Sequence, residues 1–397
     1  MAGKKRCFAT VTALRRLDPV VLCEVLGKFP EYLKHKGLAL PKEPDTKNLD
    51  YGKIQTVCMD GDIVAELDDV LFFATILGNK DGWEKILNEA DFRKVNFPFS
   101  PANLTYADMA MKAWLHDWPT NIDLLEQSYA RVKIHNRSSY VYYPPLRDLR
   151  GKYKKPGKTM ASTLTKKLSE HFIKQRLGKG TNVVMYDYEK EIWFLIRYPG
   201  QMERHPAIDD DGNATSQKFK PESYDAVVYH KEFSDLRLNT NRIKEHKVYR
   251  IAFGHTLLNS ENAFDPATKV VTLEPLKGEC LDIFNCKDID GLSEIAPVEV
   301  NFCCSKAPGR EIRWRSERDC SLLDYHTQKK HLLPEDTHTV ADAKFRYRLK
   351  NRTSYETVTV HTGRRLNYER DGDSVVIEQW LRKRKFIKDT LGLFKHG

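Results

Sequence analysis

The hydrophobic pattern of this chain changes period part way along. Up to about residue 134, apolar side chains recur every three or four positions, the spacing of helices that bury one face. Asp18 and Pro19 supply an N-cap and a first-turn proline ahead of Val20, Val21, Leu22, Val25 and Leu26. Pro30 opens a second short helix that stops at Gly37. Residues 63–77 place Ile63, Leu67, Val70, Leu71 and Ala74 along one face, with Gly78 set as a C-cap. Segments 83–92, 105–116 and 121–134 continue the series. The pattern predicts an all-helical bundle.

Beyond it the period becomes two. Apolar runs at 183–186 and 192–196 flank the polar stretch 187–190 and predict a hairpin, and 226–229 with 236–238 predict another pair of strands. Asn241 is the expected cap of a helix running toward Phe253 and stopping at Gly254. Segments 298–302 and 311–315 are expected to pair through a turn at Pro308-Gly309, and 344–350 with 357–360 across 351–356. A last helix, starting near Asp373 or Ser374 after the turn Asp371-Gly372, should bury Val376, Ile377, Trp380 and Leu381. The fold class is therefore α+β: an N-terminal all-helical bundle, then a β-rich mixed region with hairpins and a C-terminal helix. The expected domains are 1–135 (helical bundle), 136–265 (α+β, with a basic loop and helix) and 266–397 (β-rich, with basic hairpins and the last helix).

Composition narrows the function classes. With 41% hydrophobic and 11% aromatic residues the chain is not largely disordered, and no apolar run approaches the roughly 20 residues needed to span a bilayer. The basic start, Met1 to Cys7, lacks the apolar segment of a secretory signal, so a cytoplasmic location is expected. The eight cysteines, at 7, 23, 58, 280, 286, 303, 304 and 320, form no Cys-x-x-Cys pair and read as reduced, buried side chains with no zinc site. No internal repeat is present.

Charge changes the picture more. Residues 1–135 carry 18 Lys and Arg against 19 Asp and Glu, leaving 47 against 36 for the rest, a balance of −1 against +11. Residues 147–179 alone hold eleven cations against Asp148 and Glu170. The first half is a Gly- and Pro-punctuated loop with Lys152, Lys154, Lys155 and Lys158. The second is a helix with Leu164, Leu168, Phe172 and Ile173 inward and Lys166, Lys167, Lys174 and Arg176 outward. Such a segment can follow a phosphate backbone, or serve as a solvated linker. In 344–350, alternation sends Phe345, Tyr347 and Leu349 to one face and Lys344, Arg346, Arg348 and Lys350 to the other. Arg313 and Arg315 alternate with Ile312 and Trp314 in the same way. Like charges this close call for an anion above them or for acidic cross-strand neighbours such as Glu299 or Glu311. Arg364 and Arg365 fall in a turn beside these strands, and the run Arg382-Lys383-Arg384-Lys385 suits a helix C-terminus.

Catalytic signatures are missing: there is no phosphate-binding glycine loop, nucleophile elbow or His-Glu-x-x-His. The run Asp209-Asp210-Asp211-Gly212-Asn213 fails as a calcium loop, having Ala214 and Lys220 where glycine and glutamate are required, and reads as a polar hairpin or loop tip. Asp225, Glu245 and Lys247 are the nearest approach to a metal-dependent nuclease site. No catalytic residue, metal or cofactor is expected.

The stretch from Arg364 to Asp373 with Val375 to Leu381, and Leu236-Arg237-Leu238-Asn239-Thr240 with its following helix, resemble uncharacterised bacterial proteins of phage-defence loci. The resemblance carries no catalytic motif and covers about a quarter of the chain. It implies a bacterial cytosol and work beside partner subunits. The leading expectation is a non-enzymatic nucleic-acid-binding protein, for DNA rather than RNA, contacting phosphates through the basic loop and hairpins without base preference. Its helical bundle is expected to meet a protein partner. The alternatives are an interaction scaffold for an acidic protein and, third, a metal-dependent nuclease.

Overall fold

A computed structural model describes residues 7–99, 102–118, 124–135, 137–208, 212–277, 281–304, 310–317, 320–325, 332–350, 352–368 and 374–388. The expected turns at Pro308-Gly309, Asn351 and Asp371-Gly372, the triple aspartate 209–211 and Cys280 lie outside these residues. The chain divides into two compact units, residues 1–134 and 135–397.

The first unit is helical: α1 (Val11–Leu14), α2 (Pro19–Leu26), α3 (Pro30–His35), α4 (Tyr51–Cys58), α5 (Ala65–Leu77), α6 (Lys80–Arg93), α7 (Tyr106–Asp117) and α8 (Leu124–His135). Its punctuation follows the sequence. Asp18 accepts from the backbone N–H groups of Val20 and Val21 at 2.9 and 3.0 Å, and Thr105 with Asp108 forms a capping box at α7. The same Asp108 takes the N–H of Asp18 at 3.0 Å and so ties the starts of α2 and α7 together. Leu22, Val25, Ile54, Leu67, Leu71, Ala110 and Met111 fill the core. Gly78 follows α5 at an ordinary negative φ. It is needed because a Cβ there would lie 2.2 Å from the Ala74 carbonyl and 3.1 Å from Ala107.

In the second unit the strands are β1 (Ser139–Tyr143), β2 (Asn182–Asp187), β3 (Glu191–Pro199), β4 (Glu203–Ile208), β5 (Ala214–Phe219), β6 (Glu222–His230), β7 (Leu236–Asn239), β8 (Leu292–Cys304), β9 (Ile312–Arg315), β10 (Thr337–Leu349), β11 (Glu356–His361) and β12 (Arg365–Asn367). The helices are α9 (Lys158–Lys174), α10 (Ile243–Leu258) and α11 (Ser374–Lys383). Ten strands form one antiparallel sheet in the order β2-β3-β6-β7-β1-β12-β11-β10-β8-β9, while β4 and β5 pair only with each other. Strand β1 pairs with β7 on one side and β12 on the other, so residues on both sides of position 265 share one sheet.

Alternation along β1 assigns its two faces. Tyr143 joins the cluster in which Leu164, Leu168 and Phe172 of α9 and Tyr249, Phe253 and Leu257 of α10 cover Phe194, Ile196, Val227 and Leu238. Tyr142, one residue earlier, turns the other way to meet Tyr368 at 3.1 Å and the guanidinium of Arg237. Here α11 packs, with Trp380 against Phe345 and Phe386. Ile377, Trp380 and Leu381 are buried as expected, and Val376 only partly.

Helix α10 departs from the expectation at both ends. It starts behind Arg242, not Asn241, and continues through Gly254 to Leu258, with Asn259 in the left-handed conformation (φ 52°) as its cap. Gly254 serves packing, since a Cβ would sit 2.5 Å from the Ser260 carbonyl and 3.2 Å from Ala263.

Candidate nucleic-acid interface

The basic loop is an anchored structure. Lys152 N–H donates to the Leu149 carbonyl at 3.0 Å, and Lys154 N–H to that of Leu257, in the last turn of α10, at 2.8 Å. Tyr153 packs on Tyr229 with ring centres 5.6 Å apart, so the backbone is held while the lysines between these anchors point outward. Helix α9 then buries Leu164, Leu168 and Phe172 and leaves Lys166 and Lys174 exposed; Ile173, expected to face inward, is 45% exposed instead. Lys167 Nζ reaches His255 Nδ1 at 2.8 Å, which brings loop and helix together at the C-terminal end of α10. Arg176, exposed at φ 62°, ends the segment. Lys158 is the first residue of α9, and its side chain is outside the described set.

Among the described residues Lys154, Lys155, Lys166, Lys174 and Arg176 have no acidic partner within 4 Å, and Lys152 has only the Asp148 carbonyl, at 3.3 Å. Asp148 is engaged by Arg150 at 2.6 Å, a contact that holds its carboxyl down at about 2. The cationic side chains therefore stand over solvent with little internal neutralisation.

The cationic strand has the expected alternation, with Phe345, Tyr347 and Leu349 buried and Lys344, Arg346, Arg348 and Lys350 on the outer side. What lies opposite is acidic. Glu294, brought alongside by β8, meets Arg348 at 3.1 Å and Arg346 at 3.9 Å, and accepts from Tyr355, whose ring carries the two guanidinium groups at 5.2 and 4.9 Å. Lys344 pairs in register with Glu299, which also meets Arg313 at 2.6 Å and Arg315 at 3.7 Å. Lys350 meets Asp290 at 3.2 Å. Arg364 donates to the Thr268 carbonyl at 3.0 Å and stacks over Tyr143, while Arg365 is exposed on the short strand β12. Of the two acids expected to answer these cations, Glu299 meets Arg313 and Arg315 directly and Glu311 acts on Arg313 through its charge, while Glu294 was not foreseen.

The run at the end of α11 is also internally engaged. Arg382 donates to Glu378 and Asp235, and Lys383 and Arg384 both reach Asp288, at 3.0 and 2.5 Å. Beneath them lies a cluster the sequence reading missed. Arg237 is wholly buried, bidentate to Glu378 at 2.7 and 2.9 Å, and joined to Glu191 at 2.7 Å and Asp235 at 3.1 Å. Buried cations persist only with such partners. The spacing Asp235-x-Arg237 and the i,i+4 pair Glu378/Arg382 were the available signals.

In the nearest approach to a nuclease site both acids are buried and engaged by other side chains. Asp225, 2% exposed, accepts from Tyr249 Oη at 2.6 Å, and burial raises its pKa. Glu245, fully buried, holds His171 Nε2 at 2.6 Å, whereas Lys247 is exposed on another side of α10. Among the described residues no group of three His, Cys, Asp or Glu side chains is placed to hold a metal ion. The seven described cysteines are free thiols, and burial pushes Cys23 up to about 11, far from a reactive thiolate. No described helix is long and apolar enough to cross a membrane.

A scan against protein-family models finds no match for this chain, and a search of curated proteins finds none. The α+β fold and the anchored, weakly neutralised basic segment are what a functional reading rests on.

Proposed function

We propose that this chain binds nucleic acid, DNA in the first place, by contacting backbone phosphates and without reacting on it. The observation that carries the reading is the segment of loop and α9 in which Lys152, Lys154, Lys155, Lys166, Lys174 and Arg176 are exposed; among the described residues Lys152 lies near Asp148, and the other five have no ion pair to an acid. Each phosphate neutralised by such a cation releases condensed counterions, which favours association and makes it salt-dependent. The outer face of β10 and β9 has a secondary part in this reading, because Glu294 and Glu299 already answer most of its charge. The helical unit is left to a protein partner.

Fluorescence anisotropy with a labelled duplex, titrated at several salt concentrations, tests the proposal. Micromolar or tighter binding is expected, with affinity falling steeply as salt rises and little difference between unrelated sequences. No binding at micromolar protein and low ionic strength overturns it. In that case the competing reading, a scaffold for an acidic protein, takes its place.

A further inference from the structure

Among the described residues the hairpin β4–β5 places no side chain in the core. It continues the β3–β6 ladder, which ends at Pro199↔Glu222 and the Gly200 N–H to Pro221 carbonyl bond, and then runs on as a separate two-stranded ribbon from Glu203↔Phe219 to Ile208↔Ala214. Apart from Ala207 and Ser216 every residue of both strands is exposed, including Ile208 at 76% and Phe219 at 43%. Six residues of strand extend roughly 20 Å. A two-stranded hairpin without a third layer is marginal in water. A ribbon that contributes no core is explained by what it meets outside the chain.

Its two faces differ. One carries Glu203, which bonds His205 at 2.9 Å, and Phe219, which packs on the same histidine. The other carries Arg204 directly opposite Lys218, with Pro206, Ser216, Ile208 and Ala214 beyond. Neither cation has an acidic partner among the described residues, and like charges placed opposite each other destabilise a hairpin unless an anion lies over them. The base of the ribbon is fastened to the end of α9: Lys220 Nζ donates to the carbonyls of Leu177 and Arg176, the latter at 3.4 Å. The exposed cations Lys174, Arg176 and Lys179 at the end of the helix therefore lead onto Lys220, Lys218 and Arg204.

We propose that the β4–β5 ribbon is an arm that lies in a groove of duplex DNA, its Arg204/Lys218 face toward the nucleic acid. This rests on the nucleic-acid reading above and extends it to the form of the partner. A B-form major groove, about 12 Å wide, admits a two-stranded ribbon. The loop and α9 hold the adjacent phosphates while the ribbon follows the groove. The sequence Asp209-Asp210-Asp211 between the strands is acidic, so the contact belongs to the stem.

Two variants of the full chain test this: Arg204→Gln with Lys218→Gln, and a shortened chain in which residues 203–219 are replaced by Asn-Gly. Anisotropy with matched duplex and single-stranded oligonucleotides is read over a salt series, alongside thermal unfolding and light scattering. The double variant should flatten the duplex slope of log affinity against log salt by about 2, and the shortened chain should bind duplex at least tenfold more weakly. Both should keep the wild-type melting temperature and number of chains per particle. Wild-type duplex affinity in the shortened chain overturns the arm while leaving the nucleic-acid reading intact. A wild-type preference for single strands, or a change in the number of chains per particle with unchanged duplex affinity, also overturns it, the latter making the ribbon a contact between copies. If the wild-type chain binds neither oligonucleotide, the underlying reading falls as well.

Discussion

The loop with α9 and the strand β10 look alike as sequence, each crowding cations among aromatic and aliphatic anchors, yet their charges meet different fates. On β10 the outward cations lie beside β8, where Glu294 stands opposite Arg348 and also reaches Arg346, and Glu299 stands opposite Lys344; Lys350, just past the strand, meets Asp290. On the loop and α9 the described residues show no ion pair from Lys154, Lys155, Lys166, Lys174 or Arg176 to an acid, although Glu170 lies exposed on the same helix. Their outward positions face solvent, and the one acid at the start, Asp148, is taken by Arg150. Charge density in a sequence is therefore a poor measure of the charge a surface offers. What matters is whether the fold sets an acid within reach.

That difference can be broken experimentally. Replacing Lys152, Lys154, Lys155 and Lys166 together by Gln should give the largest effect on binding, flattening the salt slope by about 3 to 4 and weakening duplex affinity by orders of magnitude near physiological salt. The melting temperature should hold, since these side chains are exposed. A quadruple variant that binds normally would reverse the ranking of the two regions.

Phe345→Ala separates packing from charge on the strand. Phe345 is fully buried among Phe284, Trp380 and Phe386, and its truncation should cost about 3–5 kcal/mol in urea unfolding, with every outer cation still in place. Native-like binding by the surviving folded fraction is expected.

Acid titration distinguishes the buried charges from the exposed ones. Burial, reinforced by Arg237, lowers His230 to about 4. The unfolded chain takes up that proton near pH 6.5 and the folded chain only near 4, so the His230 contribution is complete above pH 6.5 and is lost as pH falls toward 4. Stability should drop by up to about 3 kcal/mol across that window, and His230→Gln should remove most of the slope. Lysine and arginine stay charged throughout, so a binding loss that runs ahead of the stability loss would contradict this assignment.

The smallest effects are expected on the outer face of β10. Glu294→Gln should strengthen duplex binding a few-fold by releasing Arg346 and Arg348. Arg346→Gln with Arg348→Gln should flatten the salt slope by less than the value of about 2 that two unopposed cations would give. Equal and opposite changes of full size would show that Glu294 is displaced on binding and that the strand ranks with α9.

How much of this was legible beforehand depends on the range of the interaction involved. Caps, first-turn prolines and the burial alternation of β10 are set by residues within a turn or a strand of each other, and Asp18, Pro19 and Phe345 could be read directly. The start of α10 was misread because Asn241 is a good cap by type, while the turn preceding the helix ends at Arg242. Of the hairpin β4–β5 only the polar tip could be read, because periodicity records burial and strands this exposed leave no period to detect. By itself, then, the sequence determined where the helical pattern gives way to strands, which side of β10 turns inward, and where the cations cluster. Only the tertiary structure decided that β1 joins the two halves of a ten-stranded sheet, that Arg237 is sealed among Glu191, Asp235 and Glu378, and that Glu294 faces Arg346 and Arg348. Apart from Asp235, two residues from Arg237, these partners lie tens to more than a hundred residues apart, and the pairing of distant strands and the docking of α11 bring them together.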